Sequence, residues 1–179
     1  YPSAREQVQS DGLVPQGWMV MQPVWLPDLI LMTASGGDWG RFFSAVYAAF
    51  EQDFVLNKPE FRGKRLGLKR HPEYAGKSAT FWHMISTGEV EAEREPDLRR
   101  CERIRWPKPI IENDSDPELK VWAEPCGKQQ RIHIWFEAEG YLVVLDDRGE
   151  YILPWTAFFI EHEHQRRKYN KRWERYGAF

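Results

Sequence analysis

Cysteine is nearly absent from the chain: Cys101 and Cys126 are the only two among 179 residues. Neither belongs to a Cys-x-x-Cys pair or a Cys/His ligand spacing, so neither a disulfide framework nor a structural zinc site is expected. Free thiols in a reducing compartment are the expectation. Long apolar runs are missing too. The stretch from Val24 to Met32 is interrupted by Pro27 and Asp28, well short of the roughly 20 apolar residues that a membrane span needs. No membrane span and a cytoplasmic location are therefore expected, and no signal-peptide pattern opens the chain. Charge of one sign is lacking as well. A net charge of −2 gives no global argument for nucleic acid, which must come from local clustering. Internal repeats and low-complexity segments are absent. Histidine is scarce, with five residues.

Aromatic residues are abundant, at 15% of the chain with nine tryptophans, while the 42% hydrophobic share is ordinary. The length fits one domain with a real core. Residues 1–37, rich in Pro, Gly and Gln and containing Trp18 and Trp25, read as an irregular arm lying on the body, and 38–179 as a single domain. Asp38 is a good N-cap. After it Trp39, Phe42, Phe43, Val46, Phe50 and Phe54 recur at helical spacing, predicting one amphipathic helix over 39–55. Residues 56–78 form a basic connector. Residues 79–87, ATFWHMIST, suit a short helix or strand, and 89–100, dense in acids and arginines, a solvated segment.

The period then changes. KPIIEN, LKVWAE, RIHIWFEA, YLVVLDD and YILPWTAFFI are short β-branched or aromatic runs separated by turn signals. They predict an antiparallel meander. In RIHIWFE, alternation puts Ile132, Ile134 and Phe136 on one face and Arg131, His133 and Trp135 on the other. HQRRKYNKRWERY closes the chain as a basic helix. The expected class is α+β: N-terminal helices packed on a curled antiparallel sheet of four or five strands, with a basic C-terminal helix. A helix on one sheet face would leave the other open as a ligand platform.

His71 and His83, in RHPEYAGKSATFWHM, admit three accounts: a metal pair, an acid–base pair, or one packed and one solvated side chain. Zinc would need further ligands, and none lies at short spacing. His162 and His164 would share a face if the last strand ran through them. A solvated strand end is the simpler account of that pair. His133 reads as a sheet-surface residue. No metal or other cofactor is expected. Acid–base chemistry fits better, because RNA cleavage without metal needs a base for the 2′-hydroxyl, an acid for the leaving oxygen and a cation on the phosphoryl oxygens. Histidine suits the first two roles and arginine the third. Lys69, Arg70 and Lys77 flank the histidines, and LRRCERIRW adds Arg100, Arg103 and Arg105. Arg103 and Arg105 could equally be surface arginines paired with Glu102 or Glu112. The terminal helix supplies Arg166, Arg167, Lys168 and Arg172, interleaved with Tyr169 and Trp173 in the manner of a phosphate-holding, base-stacking surface.

The order HPE, FWH, RRCERIRWPKPIIE, YLVVLD and YILPWTAF, followed by the basic helix, resembles the barnase/EndoU/colicin/RelE-like nuclease superfamily in its phage- and mobile-element-associated branch, over residues 39–176. The resemblance implies helices preceding a four-stranded antiparallel sheet, with RNA cut without metal on the sheet's open face to leave a 2′,3′-cyclic phosphate. It also implies service as a toxin or processing nuclease, with an antitoxin or other regulatory protein as partner. It matches His71, His83 and Arg103 to site positions, and Thr156 to a hydroxyl that bonds a phosphate oxygen. Pro154 and Trp155 depart from the plainest pattern and suggest an edge strand or a bulge. Three functions remain open: a metal-independent endoribonuclease, a non-catalytic RNA- or protein-binding module, or a structural partner whose tryptophans form an interface.

Overall fold

The structure, a computed structural model, describes residues 22–88, 90 and 93–179. Trp18 and the rest of residues 1–21 of the expected arm lie outside the described residues. The remainder of that arm is clipped to the body. Leu26 is buried, the Ile30 amide donates to the Glu102 carbonyl at 2.9 Å, and Trp25 Nε1 donates to Asp116 Oδ2 at 2.8 Å.

Helix α1, Trp39–Phe50, starts where expected. The Asp38 carboxylate accepts from the Arg41 amide at 2.9 Å, meeting one of the donors that a helix start leaves unpaired. Phe42, Val46 and Phe50, four residues apart, form its buried stripe. The helix runs on as a wider π-helical turn over Glu51–Leu56, which carries Asp53 and Phe54 inward. A small hairpin, β1 (Glu60–Phe61) with β2 (Lys64–Arg65), leads to α2, Ala79–Ile85, capped by the Ser78 hydroxyl. Strands β3 (Ser86–Thr87) and β4 (Glu95–Pro96) pair next, followed by α3, Leu98–Glu102, whose cap is Asp97.

Two expectations change here. KPIIEN is a helix, α4 (Pro107–Glu112), rather than a strand. Pro107 sits at its first turn, where a missing N–H costs nothing, and burial of Ile110 and Ile111 against the core overrides their β preference. The described part of 89–100 is not simply solvated. Arg94 and Arg100 both donate to the Ser86 carbonyl, at 2.9 and 2.7 Å, and so hold the β3–β4 turn against α3.

The main sheet contains β5 (Leu119–Cys126), β6 (Gln129–Phe136), β7 (Tyr141–Asp147) and β8 (Ile152–Phe159), antiparallel in chain order. The class is α+β with a four-stranded antiparallel sheet. The alternation in β6 is as expected: Ile132, Ile134 and Phe136 enter the large core with Phe81, Met84, Ile110 and the α1 stripe. Trp135 turns to the other side with Trp122, Leu142 and Val144.

That second side is not an open face. Helix α5, Glu163–Tyr176, lies along it at β5 and sets Tyr169, Trp173 and Tyr176 against the two buried tryptophans. The aromatic content explains this, since a helix carrying rings at positions 169, 173 and 176 has an apolar stripe to bury. The strand also stops before the HEH motif. Strand β8 ends at Phe159, and His162 is the residue from which α5 starts, with its ring stacked on His164 at 5.5 Å.

Candidate nucleic-acid interface

Strand β8 is an edge strand with a bulge. Val144 opposes Thr156 while Leu145 opposes Pro154, leaving Trp155 as the extra residue. Proline lacks the N–H a ladder requires, so an edge position with a local break suits it. The bulge frees the half-buried Trp155 indole to meet three side chains. His83, on the last turn of α2, lies edge-on to it with ring centroids 5.6 Å apart. The Arg131 guanidinium is 3.9 Å from the ring centroid, and Lys69 Nζ is 5.4 Å away. Both distances are within cation–π range.

Two ties fix this arrangement. Thr156 Oγ1 donates to the His83 carbonyl at 3.0 Å, joining β8 to α2. The Thr80 hydroxyl donates to the Lys69 carbonyl at 3.2 Å and accepts from the Lys69 amide at 2.9 Å, joining the basic connector to the same helix. Behind Arg131 lies Asp146, fully buried. Its carboxylate is 3.1 Å from Arg131 Nε, an ion pair without hydrogen-bond alignment, and accepts from Arg148 Nε at 2.9 Å. One buried carboxylate thus orients two guanidiniums, the pairing such burial demands.

Toward β5 the site continues through His133. Its ring stacks on Trp122, 4.8 Å apart and 4° from parallel. Nδ1 lies 3.1 Å from the Arg131 carbonyl and Nε2 lies 3.4 Å from Arg172 Nη2. A carbonyl only accepts and a guanidinium only donates, so Nδ1 carries the proton and the imidazole is neutral. Burial, reinforced by the Arg172 charge, pulls His133 down to about 4. Arg172 holds Glu124 with two nitrogens, and Trp122 Nε1 donates to the same carboxylate at 2.8 Å. Burial alone would raise Glu124, but the bonds from Arg172 and Trp122 outweigh it and leave it lowered. His133 is therefore a buried positioning group, not the sheet-surface residue expected, and not a proton carrier near neutral pH.

Beyond Arg172, a groove of about 640 Å³ opens along α5. His164, Arg167, Lys168, Lys171 and Arg175 line it at helical spacing of three and four, with Tyr176 at one end. Arg167, Lys168 and Arg172, expected as RNA contacts, meet here. Arg166 does not, since it turns inward to donate to the Glu137 carbonyl at 2.6 Å.

The remaining expected residues separate. His71 and Arg70 are exposed on the connector, and the half-buried Lys77 lies over Tyr47 at 4.6 Å. Arg103 lies between Trp106 and Phe159, at 4.9 and 5.0 Å. Phe159 packs against the large core and is four residues along β8 from Trp155, about 13 Å at strand rise. Arg103 is thus not gathered with His83. Burial and the neighbouring Arg99 both lower its pKa. Burial likewise lowers that of Arg100, which is held to Ser86. Arg105 pairs with Asp53 at 3.3 Å, not with Glu102 or Glu112. Thr156 has one hydroxyl proton, and it already goes to His83, so donation to a phosphate would require breaking that bond.

The arginine that does join His83 is Arg131, missed as a candidate although alternation had placed it with His133 and Trp135. Burial raises the Cys101 thiol to about 12 and makes it inert. Among the described residues no cluster of three or more His, Cys, Asp or Glu is arranged to hold a metal ion, and no helix is long and apolar enough to cross a membrane. No family model, curated protein or solved structure matches the chain.

Proposed function

We propose that the protein is a metal-independent endoribonuclease that cuts RNA beside Trp155 and draws the strand along the α5 groove. One observation carries this reading: His83 makes a T-shaped contact with the half-buried Trp155 indole, on which Arg131 and Lys69 also converge. A base stacked at that ring would bring its 3′-phosphate to the two cations, with His83 at the 2′-hydroxyl. In that position His83 takes the 2′ proton, the 2′-oxygen attacks phosphorus, and the bond to the leaving 5′-oxygen breaks to give a 2′,3′-cyclic phosphate. The leaving oxygen gains its proton from water. Arg131 is suited to the phosphoryl charge because Asp146 fixes its Nε end and leaves the fork to the ligand. The resemblance to phage- and mobile-element-associated nucleases favours a cytoplasmic toxin or processing enzyme, restrained by an antitoxin or other regulatory protein.

The test is purified protein with mixed RNA in excess EDTA. Cleavage to cyclic-phosphate ends should persist, and His83→Ala should reduce it roughly a hundredfold or more. Cleavage abolished by EDTA, or unchanged in His83→Ala, overturns the reading. A second reading, RNA binding without cleavage, is favoured by the commitment of Thr156 to the His83 carbonyl. It predicts salt-sensitive binding with no cut ends.

A further inference from the structure

The ten residues from Lys69 to Ser78 hold an element that the proposed chemistry does not use. Tyr74 and Lys77 pair across a two-residue turn, with amide-to-carbonyl distances of 3.1 and 3.0 Å in the two directions. Ala75 and Gly76 both have positive φ, at 48° and 70°, the backbone of a tight hairpin turn. Alanine rarely adopts that conformation. The turn is also nailed to α2, because Trp82 Nε1 donates to the Tyr74 carbonyl at 3.0 Å and the Trp82 ring meets the Tyr74 ring edge-on at 5.3 Å. The outcome is a tyrosine that is 71% exposed on a rigid support. Trp82 immediately precedes His83.

Its neighbours are more basic than acidic. Arg70 and His71 are exposed on the same connector, and Lys77 closes the turn, against the single acid Glu73. A rigid, exposed ring flanked by cations suits a nucleobase face with phosphates on either side. A protein interface of equal apolar character would not call for the cations.

We propose that Tyr74 is a base-stacking subsite for single-stranded RNA, binding a nucleotide flanking the one at Trp155. The proposal rests on the reading of the Trp155 site as an RNA site, but not on cleavage. Duplex RNA has no unstacked base to offer, so the subsite selects single strands. Lys77, Arg70 and His71 track the adjoining phosphates.

Binding of a short single-stranded oligoribonucleotide carrying 2-aminopurine, and of its duplex, is measured for wild type, Tyr74→Ala and Tyr74→Phe, alongside cleavage in EDTA. Tyr74→Ala should weaken single-strand binding roughly tenfold and abolish fluorescence quenching, while leaving the salt dependence unchanged. Tyr74→Phe should retain both affinity and quenching. Lys77→Ala should instead reduce the salt slope. Single-strand affinity unchanged in Tyr74→Ala overturns the subsite even if wild type cleaves RNA. So does an equal loss on duplex, or a change of sedimentation that marks the ring as a protein contact. Tyr74-dependent quenching without cleavage supports the subsite and removes only the nuclease reading. Absence of RNA binding by wild type overturns both.

Discussion

The two sides of the central sheet are built from the same four strands and differ in almost everything else. Toward α2 and α4, the inward residues Ile132, Ile134, Phe136, Val143, Leu145 and Ala157 join an apolar core. Toward α5, Trp122 and Trp135 share the surface with His133, Arg131, Asp146 and Glu124. The first side needs only volume and shape. On the second, the buried carboxylate and imidazole take charged neighbours, which run from Asp146 through Arg131 and His133 to Arg172, while the buried Trp135 indole nitrogen has no hydrogen-bond partner. Charge is tolerated at depth only as a paired network. That network ends in solvent along the α5 groove and at Trp155, where His83 of α2 and Lys69 meet it at the β8 edge of the sheet.

The comparison is broken most severely from the apolar side. Ile134→Ala, at a residue with no exposed surface, should cost about 4 kcal/mol, read as a lower urea midpoint with little change in slope. Low-salt and high-salt buffers should give the same loss. A loss that varies with salt would mean that the core side, too, depends on charge.

The next effect belongs to the other side and to pH. The folded chain keeps His133 neutral down to about 4, against an ordinary value of 6.5. Above pH 6.5 neither state binds a proton there. Between 6.5 and 4 the unfolded chain binds more protons than the folded one, so stability falls as the solution is acidified. The loss should reach about 3 kcal/mol by pH 4, and His133→Gln should flatten the slope across that window. An equally steep slope in the variant would assign the effect elsewhere.

Asp146→Asn comes third. It replaces a shared carboxylate with an amide whose N–H groups face two guanidiniums. Breaking a buried pair typically costs about 3–5 kcal/mol. Here Arg131 and Arg148 side chains retain 20% and 31% exposure, so about 2 kcal/mol is expected from denaturation curves. RNA binding should weaken with it, because Arg131 loses its anchor beneath Trp155. Unaltered stability would show that the network contributes nothing where it nears solvent.

How far these two sides were legible depends on the same physics. Period-2 alternation in RIHIWFE assigned Ile132, Ile134 and Phe136 to one face and Arg131, His133 and Trp135 to the other, as observed. The stripe of Phe42, Val46 and Phe50 was equally plain, because each pattern repeats within a few residues. KPIIEN misled because its two isoleucines carry β preference, while the deciding fact, burial against distant strands, is tertiary. The covering of the second face by α5 was missed because thirteen mostly polar residues read as a basic helix whose rings were free to stack bases. Tyr169, Trp173 and Tyr176, spaced by four and three, were the signal for an anchored helix. Among site residues, His83 and Lys69 came together with Thr156, whereas Arg103 did not join them. Chain order says nothing of which sheet face a helix end will reach. Only the bulge at Trp155 brings Arg131 to His83, and Pro154 was its sole local sign.

The smallest effect sharpens the contrast at the helix ends. Helix α1 reaches the core through three residues on one stripe and depends on a well-made start, the Asp38 carboxylate on the Arg41 amide at 2.9 Å. Asp38→Ala should cost about 1 kcal/mol. At the start of α5, the Gln165 side chain accepts from the His162 amide at a longer 3.4 Å, in an exposed position. That helix is held instead by its rings and by Arg172 on Glu124. Gln165→Ala should therefore cost less than about 0.5 kcal/mol. The two variants measured side by side in urea decide whether α5 is secured by its flank rather than its end. If Gln165→Ala proved as costly as Asp38→Ala, the cap and not the aromatic and charged network would be what keeps α5 over the second face, and the contrast between the two sides would not extend to their helices.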